Sequence, residues 1–309
     1  MTTTTEQAAR GGFPVLGLLI LAALSFVWGV NWPVMKIAVS EMTVWWFRSI
    51  CLIFGGLGLL FIAAITRSAI IPKHTDVGPM LLTACFAVGG WHVCAGFGVA
   101  LMPAGRAVII AFTMPIWTAL AAIWILGERL KPTTIAGLAL GLVGITVLIG
   151  PDIAIVGQAP LGAMFMLAAA ISWGLGTVLF KRFNWSIPVV SNMGWQLLAA
   201  SVPVTTIAAL DGPMPNWFAL STPVMIAMAY VLLLPMTFGQ WAYFQIVRWF
   251  PASIAAIGTL AIPIVGVYSS AILLNEPVGV RELTSLGLIC LALIVVLILP
   301  YWINRRGQA

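Results

Sequence analysis

One stretch of the chain occurs twice. The segment Leu101–Glu128 (LMPAGRAVIIAFTMPIWTALAAIWILGE) returns later as Trp249–Glu276 (WFPASIAAIGTLAIPIVGVYSSAILLNE). Two prolines and a carboxylate recur 148 positions apart with no gap: Pro103, Pro115 and Glu128 correspond to Pro251, Pro263 and Glu276. Such self-similarity predicts a fold built from one unit written twice, and it constrains the fold more strongly than local propensity does.

Composition places this repeated unit in a membrane. Hydrophobic residues make up 62% and charged residues 7% of the chain, against about 45–50% and about 25% in a soluble domain. Charged residues separate long uncharged runs, each reaching the ~20 residues that a helix needs to cross ~30 Å of hydrocarbon. The net charge of +6 comes from basic residues that stand singly or in pairs between these runs. They indicate membrane topology, so we expect no nucleic-acid partner.

The apolar runs predict an all-α membrane protein with ten transmembrane helices, built as two inverted five-helix repeats. The predicted helices cover 13–39, 44–65, 77–101, 104–126, 134–149, 161–180, 189–210, 223–247, 252–274 and 282–301. The predicted domains are a cytoplasmic tail (1–12), a first repeat (13–150), a linker (151–160), a second repeat (161–303) and a C-terminal tail (304–309). Because five is odd, the second repeat enters the membrane upside down, an arrangement typical of alternating-access transporters with a midplane site.

Basic residues set the expected orientation. With both termini inside, the cytoplasmic segments hold most of the 14 lysines and arginines, namely Arg10, Arg67, Lys73, Arg129, Lys131, Lys181, Arg182, Arg248, Arg305 and Arg306. The opposite face holds Lys36, Arg48, Arg106 and Arg281. This asymmetry follows the positive-inside rule and predicts cytoplasmic N- and C-termini.

A second motif also recurs. The residues Trp28-Gly29 and Lys36 in WGVNWPVMK return as Trp173-Gly174 and Lys181 in WGLGTVLFK. Three further features accompany the motif: Arg48 early in the second helix, a proline within the fourth helix, and the GERL turn that begins at Gly127. In these features the chain resembles the EamA type of the drug/metabolite transporter (DMT) superfamily.

A narrower similarity comes from the many tryptophans and the Trp91-His92 pair, which are similar to the YddG-type aromatic amino-acid exporters. The family resemblance implies ten helices, cytoplasmic termini and a bacterial inner membrane. It also implies export of amino acids or other small amphipathic metabolites, with membrane lipid as the surroundings and no cofactor.

Polar and aromatic side chains near the predicted midplane are the candidate substrate-binding residues. They are Trp28, Asn31, Trp91, His92, Trp117, Trp173, Gln240, Tyr243 and Gln245. His92 and its repeat counterpart Gln240 either face an aqueous cavity and contact substrate or pack against a neighbouring helix, because polar groups against lipid are costly. The aromatic rings either offer stacking surface in that cavity or serve ordinary helix packing.

Two prolines are candidate hinges. Pro115 and Pro263 each remove one backbone hydrogen bond from the middle of a helix and free the carbonyl four residues earlier. Either a neighbouring hydroxyl or water repairs the kink, or the carbonyl faces the cavity and binds a ligand amine.

Three charged residues are candidate gate or structural residues. Arg48 either snorkels or pairs with Glu41, or its guanidinium attracts the carboxylate of an entering substrate. Glu128 and Glu276 end equivalent helices at opposite membrane faces, where we expect symmetric ties between loops.

Carboxylates are missing from the centre of every predicted span, whereas proton-driven carriers commonly use one there. Either His92 carries the proton or transport is facilitative, and the residues favour facilitated export of aromatic and other apolar amino acids. The alternatives are proton-coupled efflux of drug-like or other small metabolites and, as a minor one, an intramembrane enzyme. No metal-ligand spacing occurs, and the glycine face of the fifth helix (Gly137, Gly141 and Gly144) predicts packing on the tenth helix in a monomer.

Overall fold

A computed structural model of the chain describes residues 15–127, 132–154, 159–239, 242, 252–295 and 299. The regular elements in these ranges are helical, with no strand among them. The ten main helices are α1 Val15–Ala38, α2 Val44–Ile65, α3 His74–Leu101, α4 Ala104–Leu126, α5 Pro132–Ala154, α6 Ala159–Arg182, α7 Val189–Asp211, α8 Thr222–Gly239, α9 Ala252–Leu274 and α10 Val280–Leu293.

Seven of these helices, α1 to α4 and α6 to α8, are long and apolar enough to cross a membrane. The helices α5 and α9 contain shorter apolar stretches, Ile135–Leu148 and Ala261–Leu274. The predicted all-α membrane fold is therefore confirmed. Most predicted bounds agree closely with the structure, but α5 continues through the start of the predicted linker to Ala154. The predicted continuation of the eighth helix to Val247 lies largely outside the described residues.

Equivalent helices of the two halves pack antiparallel to each other. In the α2–α7 pair the hydroxyls of Ser49 and Thr205 lie 2.6 Å apart, and further along, Gly56 faces Leu198. In the α5–α10 pair Ser285 Oγ donates to the carbonyl of Gly144 at 2.7 Å. Equivalent helices of two repeats run antiparallel only if one repeat is inverted relative to the other. The predicted inverted repeat is therefore present.

The glycines of the recurring WG motif are close-approach positions between the repeats. A Cβ on Gly29 of α1 would lie 2.5 Å from Val265 Cβ of α9. A Cβ on Gly174 of α6 would lie 3.0 Å from Trp117 Cβ of α4. Val265 is the residue 148 positions after Trp117, so the two contacts are equivalent by the repeat. Each first helix therefore packs on the fourth helix of the other half, with no room for a side chain.

A π-helical segment interrupts the same helix of each repeat. It covers Ala84–Gly90 in α3 and Leu234–Gly239 in α8. A side chain of the other half bonds to each segment: Ser172 Oγ donates to Phe86 O at 2.9 Å, and Trp28 Nε1 donates to Pro235 O at 3.4 Å. Because π segments are frequent at functional sites, these two positions, in the middle of α3 and at the end of the described part of α8, mark a region where the halves meet.

The two candidate hinge prolines differ in their surroundings. The helix α4 breaks at Phe112-Thr113, and Pro115 lies in the first turn of the part that follows. The Thr113 hydroxyl donates to the carbonyl of Ile110 at 2.7 Å, and the Thr113 N–H donates to the same carbonyl at 3.1 Å. The helix α9, by contrast, continues through Pro263. Of these two equivalent helices, only α4 is therefore interrupted near its proline.

Candidate functional site

The most unusual side chain of the described structure is Arg48, an arginine that is only 2% exposed in the second turn of α2. Its Nη1 lies 3.4 Å from His92 Nδ1 of α3, and its Nη2 lies 3.4 Å from Met35 Sδ of α1. Its Nε is buried without a hydrogen-bond partner. A guanidinium can only donate, so His92 Nδ1 accepts and the imidazole carries its hydrogen on Nε2.

A glycine makes room for this arginine. A Cβ on Gly96 of α3 would lie 2.9 Å from Arg48 Nε and 2.6 Å from Val44 Cγ1. His92 and Gly96 are one helical turn apart on α3, so they face the same side chain. The pattern of a histidine followed four residues later by glycine lets α3 approach α2 closely while the guanidinium lies between them.

Arg48 has no carboxylate within ion-pair distance among the residues that the structure describes. The expected alternative pairing of Arg48 with Glu41 is wrong, because Glu41 is exposed and its Oε2 accepts from the Ser221 N–H at 2.8 Å. Hydrogen bonds from the Ser221 hydroxyl and then from its backbone lower the pKa of Glu41 below the usual value. Within the described ranges, the positive charge of Arg48 is therefore buried without a counter-ion.

An unpartnered acceptor lies close to this charge. The Oδ1 of Asn31 is buried and accepts no hydrogen bond from the described residues. Asn31 is one helical turn before Met35, whose sulfur touches Arg48, and these two residues face the same side of α1. Arg48 Nε is thus a buried donor without a partner, and Asn31 Oδ1, one helical turn from a contact of Arg48, is a buried acceptor without one among the described residues.

Aromatic rings surround the residue that precedes His92 in α3. Trp91, which precedes His92, makes an edge contact with Trp173 of α6 at 5.1 Å between ring centroids. It makes a second edge contact with Trp32 of α1 at 6.4 Å. The structure thus brings Trp91 and Trp173 together across the two halves and adds Trp32, which the sequence analysis missed.

The other predicted tryptophans contact irregular parts of helices, Trp28 in a neighbouring helix and Trp117 in its own. Trp28 donates to the π segment of α8, as described above, and Trp117 Nε1 donates to Thr113 Oγ1 at 3.0 Å, beside the break in α4. The predicted residues Gln240, Tyr243, Gln245 and Glu128 lie outside the described residues.

Two charges clamp the corner between α3 and α4. The Nζ of Lys36 donates to the carbonyls of Met102 at 2.6 Å and Val99 at 3.0 Å, at the end of α3. The carboxylate of Glu276 accepts from the N–H groups of Ala104 at 2.7 Å and Gly105 at 2.8 Å, at the start of α4. A cation at a helix C-terminus and an anion at an N-terminus both complement the helix dipole. A tie at Glu276 is expected from the sequence, whereas the contacts of Lys36 are not, although the recurring WG…K motif contains this lysine.

This corner belongs to one end of the helix bundle, which we call the Lys36 end and define by the loops 39–43, 102–103, 212–221 and 275–279. There Arg106 also forms an ion pair with Glu282 at 2.9 Å. The opposite end, the Arg67 end, has the loops 66–73 and 183–188. At this end, near the start of α3, the Lys73 N–H donates to the Ser186 hydroxyl and the Ser186 N–H donates to Asp76 Oδ2. The described structure is therefore tied at both ends, most extensively at the Lys36 end.

The chemistry available at this site is recognition. Within the described ranges, no group of three or more His, Cys, Asp or Glu side chains could hold a metal ion. The site instead offers a cationic donor, a neutral imidazole and an amide acceptor from the first repeat, and aromatic edges where Trp91 contacts Trp173 of the second. Inverted repeats in an all-helical membrane fold are typical of membrane carriers, and this is the class that the fold and the site indicate.

Comparison with known proteins agrees with this class. The model of the EamA-like transporter family matches residues 15–150 and 160–298, one match for each repeat. The chain belongs to that family and is a multi-pass membrane transporter of the DMT type.

Several relatives are similar over most of their length. The Bacillus subtilis (strain 168) protein named "Uncharacterized transporter YvbV" is 27% identical over 285 residues, covering 90% of both chains. The Escherichia coli (strain K12) protein named "Probable amino-acid metabolite efflux pump" is 28% identical over 273 residues, covering 85% of this chain and 87% of the relative. A solved crystal structure at 18% identity, with a TM-score of 0.66, covers 96% of this chain and 99% of that one. This last likeness shows the fold alone.

Proposed function

We propose that the protein exports amino acids, with aromatic and other apolar ones preferred, through the junction of its two repeats by alternating access. Transport is facilitative in this proposal. The observation that carries it is Arg48, a buried guanidinium whose Nε has no partner and whose charge has no counter-ion among the described residues.

A buried charge of this kind favours an anionic ligand. A buried arginine in a transmembrane helix is costly, by up to about 2.5–3.5 kcal/mol at the helix centre on insertion scales and less near an end such as that of Arg48, and a carboxylate that binds it offsets part of that cost. The same charge disfavours drug-like cations, which it repels. A substrate carboxylate at Arg48 is therefore favoured over the cation-efflux alternative.

The neighbouring acceptor narrows the ligand to a zwitterion. Asn31 Oδ1 needs a donor, and the α-ammonium of an amino acid supplies one. Trp91, which precedes His92 in α3, and Trp173 make an edge contact, and these rings favour an aromatic or apolar side chain. The names of relatives that are called probable amino-acid metabolite efflux pumps are in line with this ligand.

The geometry of His92 favours transport without a proton. Its Nδ1 already accepts from Arg48, so a proton could occupy that nitrogen only by displacing the guanidinium. Within the described spans the buried carboxylates are Asp76, bonded to Ser186, and Glu282, paired with Arg106. Each lies in the first turn of its helix and not at midplane depth.

The positive-inside pattern supports an orientation as well. In the proposed topology the Arg67 end faces the cytoplasm of a bacterial cell, the Lys36 end faces outward across the inner membrane, and both termini are cytoplasmic. The carrier acts as a monomer, in line with Gly144 packing on Ile289 of α10 within the same chain.

The test is counterflow of labelled tryptophan into proteoliposomes, with and without a pH gradient. Competitors are phenylalanine, tryptamine, which lacks the carboxylate, and indole-3-propionate, which lacks the amine. We expect Arg48→Gln to raise the half-saturating tryptophan concentration by about 10- to 100-fold, since a hydrogen bond to a charged group is worth about 1.5–3 kcal/mol. In Arg48→Gln we expect indole-3-propionate to stop competing with tryptophan, whereas tryptamine still competes.

Two variants control this experiment. Arg48→Lys keeps the charge, and Arg281→Gln removes an arginine whose Nη1 donates to the Leu148 carbonyl far along the chain from Arg48. The proposal is overturned if tryptophan counterflow is absent while tryptamine is carried, or if flux follows the pH gradient and His92→Ala removes that dependence.

A further inference from the structure

The start of α7 holds a cluster of polar side chains that the Arg48 site does not use. Ser191, Asn192 and Gln196 are each 0% exposed. Three of their atoms, Ser191 Oγ, Asn192 Nδ2 and Gln196 Oε1, are buried with no hydrogen-bond partner in the part of the chain that the structure describes. Since nearly all buried polar groups in native proteins are paired, three unpaired atoms within two turns indicate a missing partner.

The unpaired atoms of this cluster offer both hydrogen-bond donors and acceptors. Gln196 Nε2 donates to Asn192 Oδ1 at 2.5 Å, which leaves one amide N–H₂ group and one amide carbonyl free. If both amides are turned over, the pair still leaves one donor and one acceptor. Ser191 adds a hydroxyl, which serves either role. The cluster therefore matches a ligand that has both an acceptor and a donor, and it carries no charge of its own.

The position of this cluster in the repeat relates it to Arg48. Gln196 is the residue 148 positions after Arg48. Each lies near the start of its helix, and α2 and α7 start at opposite ends of the bundle because the repeats are inverted. The two sites thus lie at corresponding depths from opposite faces, one cationic and one neutral. The first turn of α7 also adds the positive end of a long helix dipole.

We propose that Ser191, Asn192 and Gln196 form a second binding station for the zwitterionic head of the substrate, at the Arg67 end of the pathway. The substrate carboxylate accepts from the free amide and from the Ser191 hydroxyl, and the α-ammonium donates to the free carbonyl. This station rests on the proposed amino-acid transport. It implies that the substrate enters at a neutral, weaker station and moves to the cationic one at Arg48.

The test uses thiol protection in a chain whose Cys51, Cys85, Cys94 and Cys290 are replaced by alanine and that still carries out tryptophan counterflow. Ser191→Cys is introduced, and its alkylation by N-ethylmaleimide is timed with and without tryptophan. At ten times the half-saturating concentration, mass action slows the alkylation by about tenfold. We expect this protection to persist in Arg48→Gln, at a tryptophan concentration scaled to the variant, and to disappear in Gln196→Leu.

A matched control on the same helix is Ser201→Cys. The Ser201 hydroxyl already donates to the Leu198 carbonyl, so tryptophan is expected to leave the alkylation rate of that variant unchanged. A second measurement needs no introduced thiol. Gln196→Leu is expected to raise the half-saturating tryptophan concentration at the Arg67 end by about tenfold, the effect of one lost hydrogen bond.

Three results would overturn the station while leaving amino-acid transport intact. They are protection that vanishes in Arg48→Gln, protection that survives Gln196→Leu, and an introduced thiol that never reacts in a transporting protein. Absence of tryptophan counterflow in the unmodified protein would instead overturn the proposed function and the station with it.

Discussion

The Nζ of Lys36 lies 2.6 Å from the carbonyl oxygen of Met102. Through this contact the first helix of the chain caps the third, while Glu276 caps the fourth from the other half. Each of the two charges satisfies backbone groups that the turn between α3 and α4 leaves open.

Removing this clamp should weaken the Lys36 end. We expect Lys36→Met to lower the free energy of unfolding by about 1–3 kcal/mol, because buried carbonyls lose a charged donor. Thermal melting of the purified protein measures the change. In a double-mutant cycle with Glu276→Gln the two effects should be less than additive, since both variants open the same corner. Fully additive losses would show that the two contacts act independently.

The close approach at the WG motif gives a second expectation. Gly29→Ala and Gly174→Ala should each destabilise the protein by about 1–3 kcal/mol, the usual cost of overpacking, because the new Cβ meets Val265 or Trp117 at 3.0 Å or less. Gly78→Ala is the matched control, because a Cβ added at this helical position meets no heavy atom within 4 Å. Equal melting temperatures for all three variants would contradict the packing assigned to the motif.

Substitution of Gly96 should perturb Arg48 without changing the arginine itself. We expect Gly96→Ala to raise the half-saturating tryptophan concentration about tenfold, the equivalent of about 1.4 kcal/mol, because its Cβ displaces the guanidinium at Nε. The same counterflow assay measures it, and Gly78→Ala on the same helix serves again as the control. An unchanged half-saturating concentration in a folded Gly96→Ala protein would separate Arg48 from substrate binding.

The loop contact between Glu41 and Ser221 predicts a pH dependence. Hydrogen bonds from Ser221 lower the pKa of Glu41 below 4.5, so the contact stabilises the folded protein while the carboxylate is ionised. The stabilisation is present above the usual pKa and is lost as the pH falls through the lowered one. We expect Glu41→Ala to melt at a slightly lower temperature than the unmodified protein at pH 7, and the difference to vanish at pH values below the folded pKa. A difference that persists in acid would point to packing instead.

Much of this fold could be predicted from sequence because its strongest constraints are one-dimensional. Apolar runs of membrane-spanning length gave helices such as α2 and α4 with the bounds that the structure has. The recurrence of Trp28-Gly29 gave the inverted repeat, and Glu276 gave a tie at a helix end. These features depend on composition, length or spacing, all of which are visible without coordinates.

The remaining features depend on which faces meet, and spacing alone does not decide that. An arginine in the second turn of a membrane helix snorkels unless a neighbour such as Gly96 leaves space to bury it. The π segments follow from packing against the other half, so no local pattern marked Ala84–Gly90. Lys36 counted only as a topological charge until α3 was seen to end beside it.

The crossed contacts of Gly29 and Gly174 have a consequence for the separated halves. The first helix of each half packs on the fourth helix of the other half. Each half therefore has two helices whose packing partners lie in the other half. A lone five-helix fragment would therefore leave two faces uncovered, and a second copy inserted in the opposite orientation would cover both. One polypeptide that carries both copies needs no such partner, and the two copies of each position are free to differ, as Arg48 and Gln196 do.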